Sequence, residues 1–353
     1  MKAVEVDKLK PGMIVAQSVI NADFVVILLA NTVLNNKHIL ILKNLQIPTV
    51  NIKDEFDLSK LYQQAMALKN KTSSFVQDFE KLAKLSKKIF EEIKNEGEIK
   101  TAVSVLAAKI LPLADNPGSI NYLFSMNNSN FELAYHSQRV AIFAGIIGKW
   151  MKLEWEDIRT LVTAAFLHDV GKYRFPAQFL MKHPADLQGV ELQLYKTHSQ
   201  SGKNLLQGFK FDEPIPSIVF QHHEYMNGTG FPMGIRGKGV HQFAKIIAVA
   251  DAYDRLMAER PSFTKKTPFD ALRLLAKEQY AHYDPFVCMP FITELKDHLI
   301  GSQVKLKNGQ SGKVIFYPKD YASLPVIKLD DEESTELDLY KDAENLIVEY
   351  HIE

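Results

Sequence analysis

Histidine is used sparingly in this chain, 11 in 353 residues, yet His136, His168, His198, His222 and His223 fall in one stretch with Glu132, Asp169 and Asp251. Neutral imidazole suits mid-to-late first-row divalent metals, and carboxylate suits harder ions and can bridge two of them. Two bridged ions about 3.5–4 Å apart can polarise a phosphate, lower the pKa of a bound water and stabilise a leaving oxygen. The single cysteine, Cys288, stands apart from the set. That argues against a structural zinc site of the cysteine type. A His-Asp dipeptide such as His168-Asp169 is common and weak on its own. The other donors along the chain give it weight.

Helices must position these donors. Ser129-Asn130-Phe131-Glu132 opens a long helix running towards Met151, so Glu132 and His136, four apart, share a face. The same Glu132 completes a Ser129-x-x-Glu132 capping box, in which it would bond the N-cap backbone instead; both readings stand. Glu154 to Leu167 makes the helix that leads into His168-Asp169. Lys172 sits one turn beyond Asp169, where its ammonium could hold a phosphate oxygen, or it is an ordinary surface lysine. On a helix the adjacent His222 and His223 diverge by about 100°, so their rings should approach different ions or different sides. Phe243 to Met257 forms another helix, with Asp251 and Asp254 on one face, and Pro268 to Tyr280 one more. In the loop Gly228-Thr229-Gly230-Phe231-Pro232, glycine permits backbone close to a ligand and proline stiffens the exit.

Taken in order, His136, His168-Asp169, Lys172, His198, His222-His223, Gly230-Phe231-Pro232, Asp251 and Asp254 resemble the HD-GYP family, a subgroup of the HD-domain metal phosphohydrolases. The likeness runs from roughly Asn130 to Leu299, about half the chain. It implies a mainly α fold: a helical HD-type metallohydrolase domain flanked by small β-rich N- and C-terminal modules. It implies metal binding by His136, His168, Asp169, His198, His222, His223 and Asp251, with Asp169 bridging, and by Glu132 where a third ion is held. The cofactors implied are two or three divalent ions, iron or manganese. His168, Asp169 and Lys172 are the implied catalytic residues. Lys172, Gly230, Phe231, Asp254 and Arg260 are the implied substrate contacts, with Asp254 alternatively orienting a metal ligand.

The metal set is complete, whereas the substrate set departs from the family. Phe231 replaces the usual Tyr and lacks its hydroxyl; it can stack on a guanine base or anchor the loop. Asn227 replaces an Asp, Arg255 a small Ala, and Ser262-Phe263 an aromatic–basic pair. The implied reaction is metal-dependent hydrolysis of cyclic di-GMP to linear pGpG and onward to GMP. Two other readings stay open. One is a receptor for the dinucleotide, or for a GGDEF-type diguanylate cyclase, without turnover. The other is a phosphodiesterase for a different cyclic nucleotide, such as cyclic GMP-AMP.

The rest of the chain suggests four parts. Residues 1–54 form a small β-rich module: the turn Pro11-Gly12, a strand within Phe24 to Leu29, a helix capped by Asn35 or Asn36, and a strand from Thr49 to Ile52. Residues 55–118 form a helical linker that could signal or dimerise. The metallohydrolase spans 119–300. Residues 301–353 form a β-module whose Asn308-Gly309 suggests a type I′ hairpin. Zero net charge gives no sign of a DNA, RNA or membrane-surface binder. With one cysteine, no apolar signal core after Met1 and no run of 18 apolar residues, a soluble cytoplasmic protein is expected.

Overall fold

The computed structural model describes residues 2–351 except 11, 12, 14, 21–25, 29–31, 33, 53–57, 95–98, 117, 126–131, 181, 183, 260–262, 319–323 and 342–345. It describes the backbone alone at 2, 20, 26, 58–74, 94, 125, 174, 177 and 178. Two compact units emerge, Met1–Ala67 and Leu68–Glu353.

In the first unit, β1 (Lys2–Glu5) pairs antiparallel with β4 (Thr49–Ile52), Lys2 opposite Ile52 and Glu5 opposite Thr49. β2 (Val19–Ile20) pairs with β3 (Val26–Leu28). Between β3 and β4 in the chain comes α1 (Asn36–Asn44), whose N-cap Asn35 accepts the His38 amide at 2.9 Å. That bond satisfies one of the orphan donors of the first turn. Val6, Val15, Leu34, Leu42, Val50 and Ile52 close a small apolar core. Pro11-Gly12 lies outside the described residues.

The second unit is helical. After α2 (Leu58–Lys94) and α3 (Lys100–Asp115) come α4 (Ser119–Ser125), α5 (Leu133–Trp150), α6 (Trp155–Leu167), α7 (Ala177–Leu180), α8 (Gly189–Lys196), α9 (His198–Gly208), α10 (Ile215–Gln221), α11 (Gln242–Met257), α12 (Pro268–Glu278) and α13 (Pro285–Leu299). α5 is apolar almost all round, with Val140, Ala141, Ile142, Phe143, Ala144 and Ile147 all buried. A helix of that kind belongs at the centre of a core. α3, α6 and α11 pack around it. A short 3₁₀ turn, Val170–Arg174, follows α6 and lies against α9. Its Gly171 is obligatory: a Cβ there would sit 2.0 Å from the His198 carbonyl oxygen.

The 55–118 segment is more than a linker. From Phe75 onward α2 is part of the central core. Phe90 stacks on Tyr173 of the 3₁₀ turn, centroids 4.7 Å apart and planes within 9°, and lies 4.9 Å from Phe166 of α6. Gln138 of α5 bonds both the Phe79 carbonyl and Ser86 of α2. Burial of aromatic rings at this seam holds α2 in the same body as the His-Asp turn.

Five antiparallel strands end the chain: β5 (Gln303–Leu306), β6 (Ser311–Phe316), β7 (Val326–Leu329), β8 (Glu336–Asp338) and β9 (Ile347–His351), in the order β8-β7-β6-β5-β9. Their inward residues Val304, Val314, Ile327 and Ile347 join the helical core. The Tyr350 hydroxyl donates to the Phe124 carbonyl at 2.6 Å. The β5–β6 turn differs from the type I′ expected. Gly309 alone has positive φ, at 90°, and its amide donates to the Leu306 carbonyl. That is a type I turn closed by a glycine bulge, because Asn308 keeps an ordinary negative φ. No helix among the described residues is long and apolar enough to cross a membrane.

Candidate metal centre

Two buried donor groups meet at one carboxylate. Asp169, His198, His222 and His223 form one group, and His136, His168 and Asp251 the other. Asp169 faces both. Its Oδ1 lies 3.3 Å from His198 Nε2 and 3.7 Å from His222 Nε2. Its Oδ2 lies 3.4 Å from both His136 Nε2 and His168 Nε2. Asp251 Oδ1 closes the second group, 3.3 Å from His136 Nε2 and 3.8 Å from His168 Nε2.

The backbone aims these rings. His168, His198 and His222 each put Nδ1 on the carbonyl three residues back: Ala165 at 2.7 Å, Tyr195 at 2.5 Å and Val219 at 2.6 Å. With Nδ1 donating there, Nε2 is left as an acceptor pointing inward. His136 is aimed by side chains instead. Its Nδ1 lies 2.8 Å from Asp254, which also accepts two bonds from buried Arg139, at 2.6 and 3.0 Å. Arg139 holds the Asp254 carboxyl at about 2, against the opposing effect of burial.

The electrostatics suit cations. Burial pushes His198, His222 and His223 below the usual histidine range, which keeps them neutral. His136 also suffers burial, but Asp169, Asp251 and Asp254 outweigh it and raise the ring to about 9. Burial opposes the charge of Asp169; His168 and Lys172 reverse that and hold its carboxyl well below the usual range. His136 Nε2, His168 Nε2, Asp169 Oδ1 and Asp251 Oδ1 are buried with no hydrogen-bond partner within the protein. Orphaned polar atoms at such depth are costly unless something else bonds them. Imidazole and carboxylate together fit divalent first-row ions.

The structure brings together most of the residues singled out in the sequence. Lys172, on the 3₁₀ turn, puts Nζ 2.6 Å from Asp169 Oδ2. Gly230 lies against the histidine pair, where a Cβ would fall 2.3 Å from the His223 carbonyl oxygen. Phe231 covers the rings, 4.6 Å from His223 and 5.9 Å from His198.

Three expectations need correction. Glu132 joins neither donor group. α5 starts at Leu133 with Glu132 as its N-cap residue, and the Glu132 side chain is 48% exposed and pairs with Lys87 at 3.4 Å. The capping box suggested for it rests on Ser129, which lies outside the described residues. His222 and His223 are not helical: α10 ends at Gln221, and a turn sets the two rings 4.1 Å apart in a single donor group. Asp254 is completely buried behind His136, which leaves it no surface for substrate. Arg260 and Ser262 lie outside the described residues.

Two residues, Arg139 and Tyr195, escaped sequence reasoning, and Arg255 was singled out only as a departure from the family pattern. Arg139 carried a signal, being the charged residue one turn after His136 on an apolar helix. Tyr195 sits one turn before His198; its hydroxyl lies 3.4 Å from both Lys172 Nζ and His223 Nε2. Arg255 reaches it at 3.1 Å and pairs with Asp251 Oδ2 at 2.8 Å. Tyr195 lines two cavities. One opens on His136, Asp169 and Lys172, and the other on His223, Phe231 and Arg255.

A helical core that gathers histidines from several helices around the aspartate of a His-Asp pair defines an HD-domain protein. Residues 125–287 match the HD domain family. A cyclic di-GMP phosphodiesterase of Pseudomonas aeruginosa is 30% identical over 57% of this chain and 48% of its own length. The cyclic di-GMP phosphodiesterase response regulator RpfG of Xanthomonas campestris is 34% identical over 42% of this chain and 39% of its own. A 3′3′-cGAMP-specific phosphodiesterase of Vibrio cholerae is 31% identical over 43% and 33%. The chain thus spans about half the length of these curated relatives, or less. An HDG"Y"P protein from Bdellovibrio bacteriovorus shares the fold across 82% of this chain and 97% of its own, with TM-score 0.54 and 17% identity. The match over residues 125–287 and these likenesses support the HD-GYP group of the HD domain family.

Proposed function

We propose that this protein is a metal-dependent phosphodiesterase that opens cyclic di-GMP to linear pGpG, with GMP as a further product. The observation that carries the proposal is the placement of Asp169, whose two oxygens face two separate sets of buried imidazoles. The names of the Pseudomonas and Xanthomonas relatives support the substrate. The Vibrio relative makes cyclic GMP-AMP the first competitor to assay.

His198, His222 and His223 would hold one ion, His136, His168 and Asp251 the other, and Asp169 both. When bound, two such ions, iron or manganese, supply charge that polarises a phosphodiester and acidifies water. Asp254 and Arg139 fix the His136 ring before substrate arrives, so no reorganisation is needed during reaction. Burial disfavours the Lys172 ammonium, but Asp169 outweighs it and raises the group, so Lys172 stays charged. Lys172 Nζ therefore offsets charge on the phosphate and keeps a proton within reach of the leaving 3′-oxygen. The Tyr195 hydroxyl, between Lys172 and Arg255, orients a non-bridging oxygen. Phe231 lies over His223 and His198 and sheds water from that side.

The test is the double variant His168→Ala/Asp169→Ala. Loss of bound metal and of hydrolysis is expected; full metal content with full turnover would refute the assignment.

A further inference from the structure

Beside the metal centre lies a cavity of 430 Å³, lined by Tyr195, His223 and Phe231 and also by residues to which the chemistry above gives no role. Its walls are largely aromatic and apolar, with Phe231, Tyr225, Tyr283 and Leu275 among them. Arg255 and Glu278 are the two formally charged residues lining it. Arg255 stands at the metal end, tied to Asp251 and Tyr195. Glu278 is tethered by its own helix end: His282 Nδ1 lies 2.9 Å from Glu278 Oε2, and the His282 ring stacks on Tyr225 at 4.3 Å. Carboxylate oxygens accept more than one hydrogen bond, so this tether does not exhaust Glu278.

A pocket with flat apolar walls and a few convergent polar groups suits a small planar ligand. A carboxylate at one wall selects among planar bases by hydrogen-bond pattern. Guanine offers two adjacent donors on its Watson–Crick edge, N1–H and the N2 amino group. Adenine offers one donor beside an acceptor, which a carboxylate repels. A guanidinium tied to Asp251 of the metal centre suits a phosphate.

We propose that this cavity seats one guanine nucleotide of the substrate or product, with Glu278 on the base edge and Arg255 on its phosphate. The inference rests on the phosphodiesterase reading and sharpens it to base selectivity. It also gives a use to Arg255, where the family resemblance leads one to expect a small residue.

Calorimetric titration of the metal-loaded full chain with GMP and with AMP tests it, with metal content measured on each variant. GMP should bind at least about 10-fold more tightly than AMP, as two charge-assisted bonds at a partly exposed site would give. Glu278→Gln should weaken GMP by about 10- to 100-fold and strengthen AMP. The amide oxygen accepts from the adenine amino group while its N–H donates to N1. Arg255→Ala should weaken both nucleotides by the same factor. Equal binding of GMP and AMP to the natural protein, or an unchanged ratio in Glu278→Gln, would overturn the proposal. Cyclic di-GMP turnover on the same preparation separates the two readings. Turnover with base-blind binding removes the subsite and keeps the phosphodiesterase; base-selective binding without turnover does the reverse.

Discussion

Asp169 is the residue on which the centre depends, because it is the donor both groups share. The second layer matters almost as much. Asp254→Asn keeps the shape behind His136 but weakens its hold on Nδ1. We expect about a 10- to 100-fold loss of metal affinity, read by competition with a chelating dye, with secondary structure retained. The same site predicts a pH signature. Without metal, the three carboxylates raise His136 to about 9, above its ordinary 6.5. The stability it lends the metal-free protein is then full below about 6.5 and lost as pH rises through about 9. Metal needs the neutral ring, so uptake near pH 7.5 should release a proton that uptake above pH 9.5 does not. Titration in buffers of different ionisation enthalpy measures this, and release independent of pH would contradict it. At this scale the donors were legible because few residue types bind metals. Of the partners that aim them, Asp254 was legible as one that orients a ligand; Arg139 and Tyr195 were not, because they act through distances that close only in the fold, and Glu132 turned outward to Lys87 once the helix began at Leu133.

Elements bring the donors together through close approach of backbones. The 3₁₀ turn after α6 touches α9 at Gly171, where no side chain fits. Gly171→Ala should cost on the order of 3 kcal/mol in denaturant unfolding and lower metal content, since the clash falls on His198 itself. Phe90→Ala, on α2, empties the stack against Tyr173 and Phe166 and should cost about 3–5 kcal/mol. A cost below about 1 kcal/mol would show that α2 is only loosely attached. The helices α6, α11 and α12 were readable to within two residues at each end. The turn carrying His222 and His223 was not, because an adjacent pair after an apolar run looks helical until the chain's exit is known. The β5–β6 turn failed for a local reason: Asn-Gly suits type I′, but the three-residue loop needs positive φ only at Gly309.

Across the whole molecule, the two units keep separate cores. Val15, Leu42 and Val50 serve the first, and the helices with the C-terminal sheet serve the second. A chain lacking residues 1–67 should therefore retain its metal and its main thermal transition; loss of both would show that the first unit is needed for folding. The sequence reading sets a boundary at 54/55, whereas the two units divide within α2 (Leu58–Lys94), and burial from Phe75 onward shows where the larger core begins. The central claim is that Asp169 organises a two-ion centre that cleaves a cyclic dinucleotide. Its most direct test is anaerobic purification, metal analysis, and chromatography of products from cyclic di-GMP with added iron(II) or manganese(II). The account predicts about two ions per chain and linear dinucleotide or GMP at catalytic turnover, both lost in His168→Ala/Asp169→Ala. A protein that carries both ions and yields no product would contradict it.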